Sequence, residues 1–246
     1  MPKTQVRRRS KPPAGLTPAA EDYLKAIFAL QQEDAPVTPL AIARRMKVSP
    51  PSATGMIQKI RSLGLVRHTH YGDVALTPAG RKVALEILRH HRLIELYLHR
   101  ALGYSWDEVH EEAERLEHVI SEDFEDRITK YLGNPTHDPH GAPIPSKNGA
   151  LKPGKAAPLT ATGAGRRIVI RRVMEGDPEA LRYLARLGVL PGVVLKVLEV
   201  QPFNGPIRVR LAGGKEHFIG HELAGTILVS APTPRRRTTR REYANE

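Results

Sequence analysis

The sequence contains no cysteine, so disulfide frameworks, thiolate metal sites and cysteine nucleophiles are excluded. A cytoplasmic location fits that absence. It also lacks any uncharged apolar run near the ~18 residues that a membrane-spanning helix needs, and a spanning protein is not expected. The start, MPKTQVRRRSKPPAG, is basic but runs into prolines with no apolar segment behind it, and does not read as a signal peptide. What is present is ordinary globular material: 246 residues, 40% hydrophobic and 26% charged. That is enough apolar matter for one large domain or two modest ones, and too much for a wholly disordered chain.

The net charge is +12, and its distribution matters more than its size. Residues 1–15 carry five basic residues and no acid, whereas residues 36–82 carry eight basic residues against Asp73 alone. Residues 84–132 reverse the sign, with six basic and twelve acidic residues. The end, 231–246, is basic again through Arg235, Arg236, Arg237, Arg240 and Arg241, and both ends read as disordered basic tails. A basic block beside an acidic one suggests a polyanion-binding segment followed by something that attracts cations.

Thr17-Pro18 and Thr38-Pro39 each place a cap and an N1 proline before helically spaced apolar residues. A third helix is expected over about 51–63, ended by Gly64, followed by two short strands around Tyr71-Gly72-Asp73. Thr77-Pro78 starts a long helix to about Ala101, and a second long helix is expected from Ser105 to about Leu132. Residues 133–165, rich in proline and glycine, read as connecting chain. From Arg166 short alternating apolar runs, with a helix at 177–187, predict a small β-barrel.

The basic block has the makings of a helix-turn-helix with a wing. Small residues sit at the turn (Val48, Ser49, Pro50), and Pro51 opens the next helix. Ser52, Thr54, Gly55, Gln58 and Lys59 fall on its polar face. Arg44 and Arg45 flank it for phosphate contacts, and Tyr71 extends from the wing. The first two turns of this reading helix hold no arginine, which points to thymine-methyl contacts and shape readout rather than bidentate guanine recognition. The bland alternative is a three-helix bundle with a solvated basic face; the charge and the hairpin favour DNA.

In the acidic block, His110, Glu114, Glu117 and His118 lie at i, i+4, i+7 and i+8, within an arc of roughly 100° on one helix. His91 and Glu95 lie at i, i+4 on the preceding helix. Six imidazoles and carboxylates converging would repel one another unless a cation sat among them. Salt bridges to Arg92 and Arg115 are the plain alternative. A nitrogen and oxygen donor set suits Mn(II) or Fe(II) over zinc or copper. No HExxH or paired Glu-x-x-His is present, which makes a metalloenzyme less expected than a sensor.

The stretches Glu21-Asp22-Tyr23-Leu24, Val48-Ser49 to Gly64-Leu65-Val66, His90-His91-Arg92-Leu93 and Val109-His110-Glu111-Glu112 to Leu116-Glu117-His118-Val119 carry a resemblance. With Gly133-Asn134-Pro135 to Pro139-His140-Gly141-Ala142-Pro143-Ile144-Pro145, the sequence resembles the diphtheria toxin repressor and manganese transport regulator family. That resemblance implies a mainly α fold with small β. It places a winged helix-turn-helix at 16–80, a helical metal-binding and dimerisation domain at 81–145, a linker at 146–165 and an SH3-like domain at 166–230, with Leu187-Gly188-Val189-Leu190-Pro191-Gly192 the clearest stretch of the last. It implies two metal sites per subunit: an activating one at Asp22, Glu114, Glu117 and His118, and a second at His91, Glu95 and His110. In some members the C-terminal domain completes the second, for which Glu175, Asp177 or Glu179 are open choices. His137 and His140 are assigned a turn role.

Iron-responsive members are expected to carry methionine and cysteine where this chain has Asp22 and Glu114, so the carboxylates favour manganese. Manganese members with a close two-metal cluster carry a glutamate where this chain has Lys25, which argues against that cluster here. The implied function is a manganese-dependent regulator, a homodimer on a double-stranded DNA operator, repressing metal uptake, with no enzymatic activity, membrane or small organic substrate. The alternatives are iron dependence on the same fold and a metal-independent DNA-binding protein.

Overall fold

The computed structural model describes residues 15–33, 35–68, 73–152 and 154–232. They form two compact units divided between Gly154 and Lys155. Four helices of the first unit begin the same way, with a hydroxyl residue capping and proline at the first position. These are α1 (Pro18–Leu30, capped by Thr17), α2 (Pro39–Met46, Thr38), α3 (Pro50–Ser62, Ser49) and α4 (Pro78–Leu102, Thr77). Lys47 takes a left-handed conformation (φ 54°) to turn α2 sharply into α3.

Strands β1 (Val66–His68) and β2 (Val74–Leu76) pair antiparallel beside α3, Val66 opposite Leu76. Leu24, Ile27, Ile42, Ile57, Ile60 and Leu65 meet in one core. The start of α4 is pressed onto the chain entering β1. A Cβ at Gly80 would stand 2.0 Å from the Leu65 carbonyl oxygen, so only glycine fits there. The wing tip at 69–72, with Tyr71, lies outside the described residues.

The helix expected over 105–132 is two helices, α5 (Val109–Leu116) and α6 (Glu122–Tyr131). Ser121 breaks the run by accepting the Phe124 N–H at its Oγ, 3.2 Å away. His118 and Phe124 therefore do not continue one α5 stripe. The intervening turn instead carries Glu117, fully buried, and His118. Ile94 and Leu98 of α4 pack on Val109, Ala113 and Ile120.

The beginning of the proline- and glycine-rich stretch is packed structure. Asp138 Oδ1 accepts the N–H groups of His140 and Ala142, both at 2.9 Å, and Ala142 and Ile144 are buried. Buried Arg89 donates to the Pro145 carbonyl at 2.8 Å and to Glu125 at 2.5 Å, tying this stretch and α6 to α4. Burial pushes the Glu125 carboxyl up, but the hydrogen bonds from His90 and Arg89 outweigh it and hold it down to about 2.

The second unit opens inside the expected linker, with β3 (Ala157–Pro158) and a 3-10 turn (Leu159–Ala161). It continues through β4 (Arg167–Val173), α7 (Pro178–Leu187), β5 (Val194–Val200), β6 (Ile207–Leu211), β7 (Glu216–Ile219), α8 (His221–Gly225) and β8 (Ile227–Ser230). The sheet order is β3-β8-β4-β5-β6-β7, antiparallel throughout. Register shifts at Ile170/Arg172 and Val197/Glu199 curl it around Ile170, Val197, Val209 and Ile219, giving the SH3-like unit. Asp177 caps α7 by accepting the Glu179 N–H at 2.9 Å, and His217 and His221 sit on β7 and at the start of α8. No helix among the described residues is long and apolar enough to cross a membrane.

Candidate metal centre

Three elements of the first unit converge on one cluster of charged side chains. Helix α1 supplies Glu21, Asp22 and Lys25, α4 supplies His91 and Glu95, and α5 with its following turn supplies His110, Glu114, Glu117 and His118. Asp22, Glu117 and His118 bring ligand atoms within 4.8 Å of one another. His118 Nε2 lies 2.9 Å from Asp22 Oδ1, and its Nδ1 donates to Glu21 Oε2 at 2.6 Å. Burial works against a charged imidazole here, but the bonds to Asp22 and Glu21 outweigh it and lift His118 to about 9.

Glu114 is drawn elsewhere. Its Oε1 accepts from Lys25 Nζ at 2.6 Å and stands 3.8 Å from His91 Nδ1, so it clusters with His91 and Glu117 rather than with Asp22 and His118. The four residues expected as an activating site are thus neighbours split between two groups. Glu117 belongs to both: one oxygen accepts from Lys25 at 2.6 Å, the other from His91 Nδ1.

His91, Glu95 and His110 come together as expected. His91 Nε2 donates to Glu95 Oε1 at 2.9 Å, and His110 Nδ1 is 3.4 Å from the same oxygen. Burial would discharge His91, yet the Glu95 charge and the bonds to Glu117 and Glu95 push it up to about 10. In return Glu95, itself buried, is held well below the usual carboxylate range by His91 and His110.

His140, assigned only a turn role, and Asp138, assigned none, also reach this centre. His140 stacks on Trp106 and donates Nε2–H to its carbonyl at 2.7 Å, which turns Nδ1 toward Glu95 Oε2 at 3.9 Å. Glu95, Asp138 and His140 hold their ligand atoms within 4.8 Å. Glu95 Oε2 is buried without a hydrogen bond. A buried carboxylate oxygen facing an imidazole nitrogen is a position that a divalent cation would stabilise. The sequence signal was the Asp138-x-His140 spacing itself, masked by the turn-forming prolines and glycine around it. Glu21 was missed as well, because an acid in a first helical turn has a sufficient explanation without a site.

On the nucleic-acid side, Ser49, Pro51, Ser52, Thr54, Gly55, Gln58 and Lys59 share one exposed face of α3, and Arg44 and Arg45 are exposed beside it. Arg45 pairs with Glu33. Thr54 Oγ1 donates back to the Pro50 carbonyl at 2.9 Å, and the Ser49 and Ser52 hydroxyls bond each other at 2.8 Å. These hydroxyls each have a partner within the protein, and Gln58 and Lys59 carry the longer polar groups of this face.

A winged helix whose first helix also enters a histidine and carboxylate cluster defines a regulator in which metal binding and DNA binding share an element. The comparisons agree. The description "Iron dependent repressor, N-terminal DNA binding domain" matches residues 15–74. "Iron dependent repressor, metal binding and dimerisation domain" matches 77–146, and "FeoA domain" matches 157–231. The iron-dependent repressor IdeR of Mycobacterium tuberculosis is 35% identical over 228 residues, 87% of this chain and 97% of that protein. The diphtheria toxin repressor of Corynebacterium diphtheriae is 34% identical over 169 residues, covering 65% of this chain and 74% of its own. Among solved structures, a manganese-dependent transcriptional repressor in complex with manganese is 40% identical with a TM-score of 0.81. It covers 87% of this chain and all of its own. The manganese regulator SloR is 32% identical with a TM-score of 0.72, over 88% of this chain and all of that one. The chain belongs to the diphtheria toxin repressor and IdeR family of metal-dependent transcriptional regulators, and these relatives are repressors rather than enzymes.

Proposed function

We propose that this regulator responds to manganese and, as a homodimer, represses genes of metal uptake. The observation that carries the choice of ion is the donor set. Asp22, Glu117 and His118, with Glu114 adjacent, offer only oxygen and nitrogen, the hard donors that suit Mn(II). The manganese-complexed repressor at 40% identity supports the same reading. Iron is the second reading, favoured by the iron-dependent IdeR relatives.

The activating ion is held by Asp22, Glu117 and His118, joined by Glu114. A second ion is held around Glu95, by His91 and His110 or by Asp138 and His140. The metal supplies a divalent charge that ties carboxylates of different helices together. The chain's own residues do the rest. Asp22 sits on α1, whose inner face packs in the core of the DNA reader, so fixing Asp22 to Glu117 and His118 fixes the reader against α4 and α5. In a dimer, that sets the separation of two reading helices, which must match the ~34 Å repeat of DNA. A thousandfold change in operator affinity takes about 4 kcal/mol of differential metal binding.

Fluorescence anisotropy on operator-length DNA tests this at fixed salt, with Mn(II), anaerobic Fe(II) and Zn(II) titrated separately against a chelated control. Tight, sequence-selective binding only with metal is expected, with Mn(II) most effective at plausible free concentration. Equal binding by chelated protein would sink the metal-dependent mechanism, and a stronger response to Fe(II) would replace manganese by iron.

A further inference from the structure

Lys25 lies one turn after Asp22 on the face of α1 that meets α5. Its ammonium stands 2.6 Å from both Glu114 Oε1 and Glu117 Oε1, with its side chain only 16% exposed and that of Glu117 fully buried. His91, Glu114 and Glu117 form a group of cation-ligand spacing on their own, and the Lys25 ammonium is bonded to two of its three members. A lysine placed this way is a cation on a tether. It satisfies the carboxylates that an incoming ion needs, and it draws Glu114 away from Asp22 and His118.

We propose that Lys25 is a built-in competitor that sets the metal concentration at which this regulator responds. The inference rests on the metal-dependent reading above and goes beyond it, because it assigns the threshold to a residue that is not a ligand. An ion entering between Asp22, Glu117 and His118 meets a fixed positive charge bonded to one of its ligands. It must also take Glu114 from that charge before this fourth ligand can join. Both effects raise the free metal needed. Repulsion between a divalent ion and an ammonium a few ångströms away weakens binding on the order of tenfold or more even at a high effective dielectric. The same ammonium keeps Glu114 and Glu117 gathered beside α1. Lys25 thus opposes the ion while preserving its site.

The test compares Lys25→Met, which keeps length and removes charge, with Lys25→Arg, which keeps both charge and reach. Lys25→Gln stands in should the methionine variant fail to give a folded dimer. Two readouts are taken on the full chain: Mn(II) affinity by competition with a fluorescent chelator, without DNA, and the free Mn(II) giving half-maximal operator binding. Loss of the charge is expected to tighten Mn(II) binding and lower the operator threshold on the order of tenfold, with Lys25→Arg close to the parent. Unchanged or weaker Mn(II) binding in both uncharged variants would overturn the proposal, as would a Lys25→Arg variant shifted as far as Lys25→Met. Failure of the underlying reading is seen separately, as chelator-indifferent operator binding by the parent protein, and the DNA-free affinities still decide the role of Lys25.

Discussion

Metal binding at the first site should release protons, and the size of the effect follows from His118. Its imidazole is raised to about 9 by the bonds to Asp22 and Glu21, so near neutrality it is almost entirely charged. A charged imidazole cannot ligate, and an ion must displace the proton first. Each pH unit well below 9 would therefore cost about tenfold in affinity, and binding at pH 7 would be about a hundredfold weaker than to the fully deprotonated site. Metal-free stability has the opposite sign. His91 and His118 have folded values of about 10 and about 9, above the ordinary 6.5. Their stabilisation is complete below about 6.5 and is lost as pH rises through about 9 to 10. The assay is Mn(II) affinity between pH 6 and 8 by competition with a chelating dye. Calorimetry in two buffers of different ionisation enthalpy counts the protons released. The expectation is a slope near one in log affinity against pH, and about one proton released per ion at this site. A flat profile with no proton release would refute the assignment of His118 as a ligand held charged by Asp22 and Glu21.

Further outcomes are expected. Glu114→Ala or His118→Ala should abolish metal-dependent operator binding while circular dichroism and sizing show a folded dimer; retained metal dependence in both removes the first site as described. Gly80→Ala, with its Cβ driven to 2.0 Å from the Leu65 carbonyl, should destabilise the winged helix by about 2 kcal/mol or more in denaturant unfolding, and an unchanged midpoint would show the contact relaxes freely. Lys59→Ala on the exposed face of α3 should weaken operator and unrelated DNA about equally and lower the salt slope by about one; a loss confined to operator DNA would make Lys59 a base reader.

Local chemistry made much of this molecule readable in advance. The three Thr-Pro starts announce α1, α2 and α4 because cap and N1 preferences act within a few residues; Ser49-Pro50, read as part of the turn, does the same for α3. The convergence of His91, Glu95 and His110 follows from i, i+4 spacing and a short connection. What stayed hidden depended on tertiary competition. Apolar residues on both sides of Ser121 carry a helical period across it, so the break between α5 and α6 was not evident, although Ser121 is a good cap. Asp138 and His140 lie among residues that suffice to explain a turn. Only the stacking of His140 on Trp106 shows which nitrogen faces Glu95. The position of Glu114 depends on where the Lys25 ammonium reaches, which no periodicity encodes.

The two oxygens of Glu117 serve different masters, one turned to Lys25 on α1 and the other to His91 on α4. A rigid carboxylate cannot tilt toward one neighbour without leaving the other. If both proposed positions take ions, their loading is linked through this single buried side chain, and whatever effect one has on the other is returned in equal measure. Because the two sides pull on one carboxylate, that linkage would make the response to rising metal shallower within each subunit.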